Sequence, residues 1–176
     1  MRRSDREVLS NIEQYISITK GFKKPKGYYY DSIYHFIREN SKFYDSSPLT
    51  KEELAHVNKV KKSLGFVPQI RQCFYNSQMM MLNDYTGQIK YTEGYANFIM
   101  PVNHAWNTIN GKVIDLTWKD TNDKNIYGTF SNKLSYYGTE FSSEMIRKRM
   151  LETEMANSVF DYMHGGIPML KTKFKI

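Results

Sequence analysis

Cysteine is nearly absent from this 176-residue sequence, where Cys73 stands alone. A single thiol excludes any disulfide within the chain and any zinc site built from two or more of its own cysteines. Prolines number 5 and glycines 10, and no repeat, heptad pattern or low-complexity tract interrupts the chain. No window approaches the roughly 18 apolar residues of a membrane span. The first residues, MRRSDREVLSNIEQ, start basic and turn polar and acidic without an apolar run. A cytoplasmic chain with no membrane partner is the expectation. There are only 4 histidines, and His35, His56 and His164 show no metal-ligand spacing, so neither metal nor cofactor is expected.

The sequence does contain aromatic residues in quantity, 14 Tyr and 10 Phe, beside 40% hydrophobic and 24% charged residues. That composition argues for a packed core rather than disorder. The length fits a single domain over 1–176, with a helical prefix at 1–64, a core at 66–118, and a loop with a C-terminal helix at 119–176. The net charge is +7, but Lys and Arg are dispersed apart from Lys23-Lys24-Pro25-Lys26 and the stretch Lys171 to Lys175. No recognisable motif or single charged stripe is present, which disfavours a nucleic-acid partner. The abundance of Lys, Asn and Tyr fits an AT-rich genome such as that of a bacteriophage.

Local signals predict several elements. Ser4 and Glu7 read as a capping box before a helix reaching Thr19, with Val8, Leu9, Ile12, Tyr15 and Ile16 at helical spacing. Asp31 is placed to cap a short helix with Ile33, Phe36 and Ile37 on its apolar face. Thr50 and Glu53 form another capping box, opening a helix striped by Leu54, Val57, Val60 and Leu64 and ended by Gly65. Phe66-Val67-Pro68 is extended, and CFYNSQMMMLND follows as a helix with Cys73 in its first turn. The Met79-Met80-Met81 run reads as helix core. After a turn from Asp84 to Gly87, residues 89–100 read as a strand, in which Glu93 is expected either to face solvent or to be aimed into a cleft by a bulge at Gly94. Residues 121–133 read as polar loop. A last helix starts at Ser142 or Ser143, buries Ile146, Met150, Leu151, Met155 and Val159, and closes at His164-Gly165-Gly166.

The strongest local signal is VNHAWNTINGKVIDLTW, residues 102–118. Asn110-Gly111 between two β-type runs is a hairpin signature. The register pairs Ile109 with Lys112 and Thr108 with Val113, and extends to Trp106 with Asp115 and His104 with Thr117. Alternation then puts His104, Trp106, Val113, Asp115 and Thr117 on one face, with His104 and Asp115 in diagonal reach. A thiol at a helix N-terminus gains nucleophilicity from the local positive potential. An imidazole would take its proton, and a carboxylate on the far nitrogen would fix the tautomer. Taken singly, each residue has a plainer use: a buried inert thiol, a strand histidine bonded to backbone, an aspartate paired with a lysine.

Cys73 opening a helix, a strand after it, then His104-Ala105-Trp106 in one strand and Asp115 with Thr117 in the next resemble the transglutaminase-like core of the papain-like thiol superfamily. The resemblance covers about residues 66 to 118. It implies an α+β fold with a papain/transglutaminase-like core, a nucleophile helix packed on a small antiparallel sheet, and N-terminal and C-terminal helices. It also implies Cys73 as nucleophile, His104 as general base and then acid, and Asp115 as orienting carboxylate. The flank Gln69-Ile70-Arg71-Gln72 departs from the family's aromatic-rich pattern. Gln72 or Gln69, with the Cys73 backbone N–H, would supply oxyanion donors; Glu93 and Trp106 are further substrate-side candidates. The expected activity is thiol-dependent acyl transfer, as amide hydrolase, deamidase or transamidase, on a protein or small amide substrate. The alternative is a non-catalytic phage or bacterial binder of a protein or nucleotide on the same fold. The sequence leaves the oligomeric state open.

Overall fold

The computed structural model describes residues 1–24, 26–44, 47–97, 99–119, 124–127, 134–161 and 170–174. Along the chain these form α1 (Arg3–Thr19), α2 (Ile33–Asn40), β1 (Lys42–Phe43), α3 (Lys51–Lys62), α4 (Cys73–Leu82), β2 (Lys90–Asn97), β3 (Pro101–Ile109), β4 (Lys112–Lys119), β5 (Asn125–Tyr127), β6 (Ser135–Phe141) and α5 (Ser143–Thr153). The fold is mixed α+β. Its antiparallel sheet has six strands in the order β1-β6-β2-β3-β4-β5. No helix among the described residues is long and apolar enough to cross a membrane.

Helix ends follow side-chain chemistry, twice shifted from the sequence reading. The N-cap of α1 is Arg2, whose backbone N–H donates to Asp5 Oδ2 at 3.0 Å. Ser4 therefore lies inside the helix and is buried, not capping. At α2 the cap is Ser32 rather than Asp31, its hydroxyl accepting from His35 N–H at 3.2 Å. The Thr50–Glu53 capping box is present at α3, and Gly65 follows with φ +71, a left-handed conformation that suits glycine. Leu54 is 38% exposed and leaves the buried stripe to Val57, Val60 and Leu64.

Two glycines let the central strands pack. Gly94 of β2 pairs with Gly138 of β6. A Cβ at Gly138 would come within 2.6 Å of the Trp106 ring and 2.7 Å of the Glu93 carbonyl oxygen. β2 runs without a bulge through Glu93 and Gly94 against both neighbours, so the bulge considered from the sequence does not form. One sheet face packs Tyr91, Tyr95, Ala105, Tyr137 and Phe141 against α1, α2, α4 and α5. The other gathers Tyr44, Ala96, Trp106, Val113, Ile126, Leu134 and Tyr136. A third cluster joins α3 to the hairpin through Val57, Val60, Met80, Ile109 and Ile114.

The segment read as polar loop carries β5, and β6 was not expected at all. The last helix is also shorter than its apolar spacing suggested. Glu154 adopts φ 56 at its C-cap, Ile146 is its buried residue, and Leu151 and Met155 are exposed. Val159 is buried, but beyond the helix. The expected close at His164-Gly165-Gly166 lies outside the described residues, as do parts of the 121–133 stretch.

Candidate active site

The hairpin forms as its turn demands. Asn110 and Gly111 take φ 50 and φ 76, the two left-handed positions of a type I′ turn. β3 pairs with β4 at Ile109–Lys112, Thr108–Val113 and Asn107–Ile114. Glu53 of α3 grips the turn from outside, accepting from Asn110 Nδ2 at 2.8 Å and from Lys112 Nζ at 2.9 Å. Beyond those backbone pairs the strands are joined by side chains: His104 Nε2 and Asp115 Oδ2 lie 2.7 Å apart, both buried.

Thr117 leaves the face on which simple alternation would put it. Asp115 Oδ1 accepts from the backbone N–H of Thr117 at 2.8 Å and of Trp118 at 3.0 Å. Such side-chain-to-backbone bonds compete with a strand ladder, and the β4–β5 register shifts between Asp115 and Lys119. The Thr117 hydroxyl instead accepts from Asn76 Nδ2 of α4 at 3.1 Å. Asn76 also holds the loop before the helix, donating to Gln69 O at 2.8 Å and accepting from Gln69 N–H at 3.3 Å. One buried amide thus ties the start of α4 to the strand that bears Asp115.

Cys73 is the first residue of α4, and the N-cap residue Gln72 makes no side-chain capping bond. The residue before it, Arg71, has φ 68, a conformation that costs a non-glycine residue about 1 kcal/mol or more. The thiol is 8% exposed and His104 is 3% exposed, while their chain neighbours Gln72 and Asn103 are exposed. Both groups therefore sit one residue below the surface. The Cys73 side chain lies near enough to His104 to favour its charged form.

Electrostatics favour a charged imidazole. Burial works against the charge, but the Asp115 carboxylate, its hydrogen bond and the Cys73 side chain outweigh it and raise His104 to about 9. Asp115 is held below its ordinary range: burial opposes its charge, and His104 with the Trp118 and Thr117 amides overcomes it. Two further residues complete this surround. Tyr136 donates to Asp115 Oδ2 at 2.8 Å, and the Trp118 ring stacks on His104 with centroids 4.3 Å apart and planes at 19°. An imidazolium over an indole face gains a cation–π contribution. Asn76, three residues past Cys73, could have been found by helical spacing; Tyr136 lies in the unanticipated strand and gave no local signal.

The substrate-side candidates stand differently. Gln69 and Gln72 are exposed beside Cys73 and bond to each other, Nε2 of Gln72 to Oε1 of Gln69 at 3.3 Å. Trp106 is fully buried in the aromatic cluster. Glu93 is fully buried rather than solvent-facing, its carboxylate engaged by Tyr91, Ser158 and the Val159 N–H. His56 bonds Asp84 at 3.1 Å, and His35 bonds Glu39 at 2.7 Å; His164 is outside the described residues. Among the described residues no group of three or more His, Cys, Asp or Glu is placed to hold a metal ion. Comparisons with protein-family models, curated proteins and solved structures find no match.

Proposed function

We propose that Cys73, His104 and Asp115 are the catalytic residues of a thiol-dependent acyl-transfer enzyme, an amide hydrolase, deamidase or transamidase, on a core of the papain/transglutaminase-like kind. The observation that carries this reading is the buried His104–Asp115 bond, with the Cys73 side chain near enough to favour the charged imidazole. The thiol opens an uncapped helix, where backbone N–H groups and the dipole favour negative charge.

In the reactive state the Cys73 thiolate faces the charged His104, and the sulfur attacks the carbonyl carbon of the amide. As the C–N bond breaks, His104 gives its proton to the leaving nitrogen, and a Cys73 thioester remains. Water or an acceptor amine then attacks the thioester, His104 removes its proton, and the sulfur departs as the thiolate beside the recharged imidazole. Asp115 holds the tautomer and stabilises the imidazolium throughout. The Cys73 backbone N–H, with the exposed Gln72 amide, faces the developing oxyanion.

Iodoacetamide at neutral pH should alkylate Cys73 far faster than an ordinary buried thiol, and p-nitrophenyl acetate should acylate the chain in a burst. Cys73→Ala and His104→Ala should each abolish the burst while the fold persists. A Cys73→Ala protein that keeps full biological activity would instead establish the binder reading.

A further inference from the structure

Much of the apolar spacing of α5, which marks a face for burial, is left in solvent. Ile146 is buried, but Leu151 is 82% exposed and Met155 48% exposed. With Arg147, Met150 and Glu154 they line a groove of about 720 Å³, flanked by Tyr75 of α4. Arg147, Met150, Leu151 and Glu154 stand at i, i+3, i+4 and i+7, which is one face of the helix and its C-cap. Both charged members are exposed. Lys148 pairs with Glu152 within α5, whereas Arg147 and Glu154 have no ion pair with any described residue. Glu154 also sits at the negative end of the helix dipole, where a carboxylate is disfavoured unless a cation is near.

The face is complementary to itself in one arrangement. Arg147 and Glu154 are two turns apart, about 10.5 Å along the helix axis, and the midpoint between them falls between Met150 and Leu151. A second α5 laid antiparallel across that midpoint, about a two-fold axis, brings each Arg147 to the other copy's Glu154. It also packs Leu151 of each copy beside Met150 of the other. A parallel partner would set like charge against like. The groove leaves the thiol alone: Cys73 and Tyr75 are two residues apart on α4, about 200° around that helix, so a partner resting on Tyr75 does not cover the sulfur.

We infer that the groove between α4 and α5 is the interface of a homodimer, in which α5 packs antiparallel on α5 of a second copy. The pairing covers Leu151, Met155 and Tyr75 and places a guanidinium at the C-terminal end of each helix. The apolar centre supplies the affinity, and the two Arg147–Glu154 pairs fix the direction of the helices. The dimer does not depend on the acyl-transfer reading, and each stands or falls by its own experiment.

Sedimentation velocity of the full chain over a concentration series should show monomer and dimer in exchange. Leu151→Asp should weaken the dimer by about tenfold or more, because the apolar contact is central. Arg147→Glu and Glu154→Arg, each alone, should weaken it about three- to tenfold, since like charges then meet twice. Mixed together, these two single variants should associate as tightly as wild type, because each introduced charge meets its opposite in the other chain. Circular dichroism checks that the variants fold; if Leu151→Asp does not, the charge exchange decides alone. A chain that stays monomeric at every concentration overturns the proposal, whatever other partner covers the groove. A dimer indifferent to all three substitutions overturns it as well, because the contact then lies elsewhere. A mixture that fails to recover overturns the antiparallel pairing of Arg147 with Glu154.

Discussion

Asp115 and Glu93 are both fully buried carboxylates, each bonded by a tyrosine hydroxyl and by backbone amides. Yet Asp115 is held below its ordinary range whereas Glu93 is pushed up to about 7. Desolvation acts on both with the same sign and heads the causes in each case. The difference is a cation. Asp115 touches His104 at 2.7 Å, whereas the groups donating to Glu93 are hydroxyls and amides. Neutral donors soften a buried charge, but an ionised partner decides whether the charge exists. Within one sheet, the same side-chain chemistry yields a fixed anion at one place and a titrating acid at another.

The most drastic way to break the comparison is to take the charge from the first carboxylate. Asp115→Asn keeps the shape but removes the partner that holds His104 protonated and in one tautomer. If the site is catalytic, the acylation burst should slow on the order of 10⁴-fold, as loss of the orienting carboxylate does in serine enzymes. Combining it with His104→Ala should add little, because the groups act as one unit. A loss below about tenfold would show that Asp115 is structural, since orientation alone is worth far more.

Stability against pH separates the two carboxylates next. Glu93 has a folded value raised from 4.5 to about 7, so the folded chain holds its proton longer than the unfolded chain. Stability from that proton is present below about pH 4.5 and is lost as pH rises through about 7, to a total near 3 kcal/mol. His104, raised from 6.5 to about 9, contributes in the same direction over a higher window, fully below about pH 6.5 and lost through about pH 9. Asp115 has the opposite sign: its contribution is lost as pH falls below its ordinary range. Glu93→Gln should therefore remove the lower of the two alkaline losses and leave the upper. Urea unfolding across pH checks this, and parallel curves for variant and wild type between about pH 4.5 and 7 would mean that Glu93 does not titrate there.

What the sequence made legible follows the range of the interactions. The hairpin was readable because Asn110-Gly111 and the alternation around it are local, and His104 and Asp115 stand 11 residues apart across one turn. The thiol helix was readable from Cys73 and the apolar run behind it. β6 was not: Gly138 interrupts LSYYGTEF, and the strand gains its place by inserting between β1 and β2, far away in the chain. Tyr136 was lost with it. Glu93 was misread because its Ser158 partner lies 65 residues downstream, and a strand glutamate is expected to face water unless such a partner is known. The irregularity at Thr117 escaped because extending an ideal register assumes that side chains do not compete for backbone bonds, and Asp115 does.

The smallest effect is also the sharpest comparison, the removal of one hydroxyl from each pair. Tyr136→Phe deprives Asp115 Oδ2 of a 2.8 Å bond but leaves His104 and two backbone amides in place. Asp115 stays charged, so the loss should be about 1–2 kcal/mol and nearly constant from about pH 5 to 8, as for one bond to an ionised group. Tyr91→Phe deprives Glu93 of a 2.6 Å bond. Below about pH 6 the carboxyl is protonated and the loss is that of a neutral bond, about 1 kcal/mol. As pH rises through about 7 the remaining donors must carry a buried charge with one fewer bond, so the carboxyl keeps its proton to higher pH and the penalty grows. Urea unfolding of both variants at matched pH values gives two lines, one flat and one climbing. Equal slopes would mean that the two tyrosines face carboxylates in the same ionisation state, and the contrast between Asp115 and Glu93 would be lost.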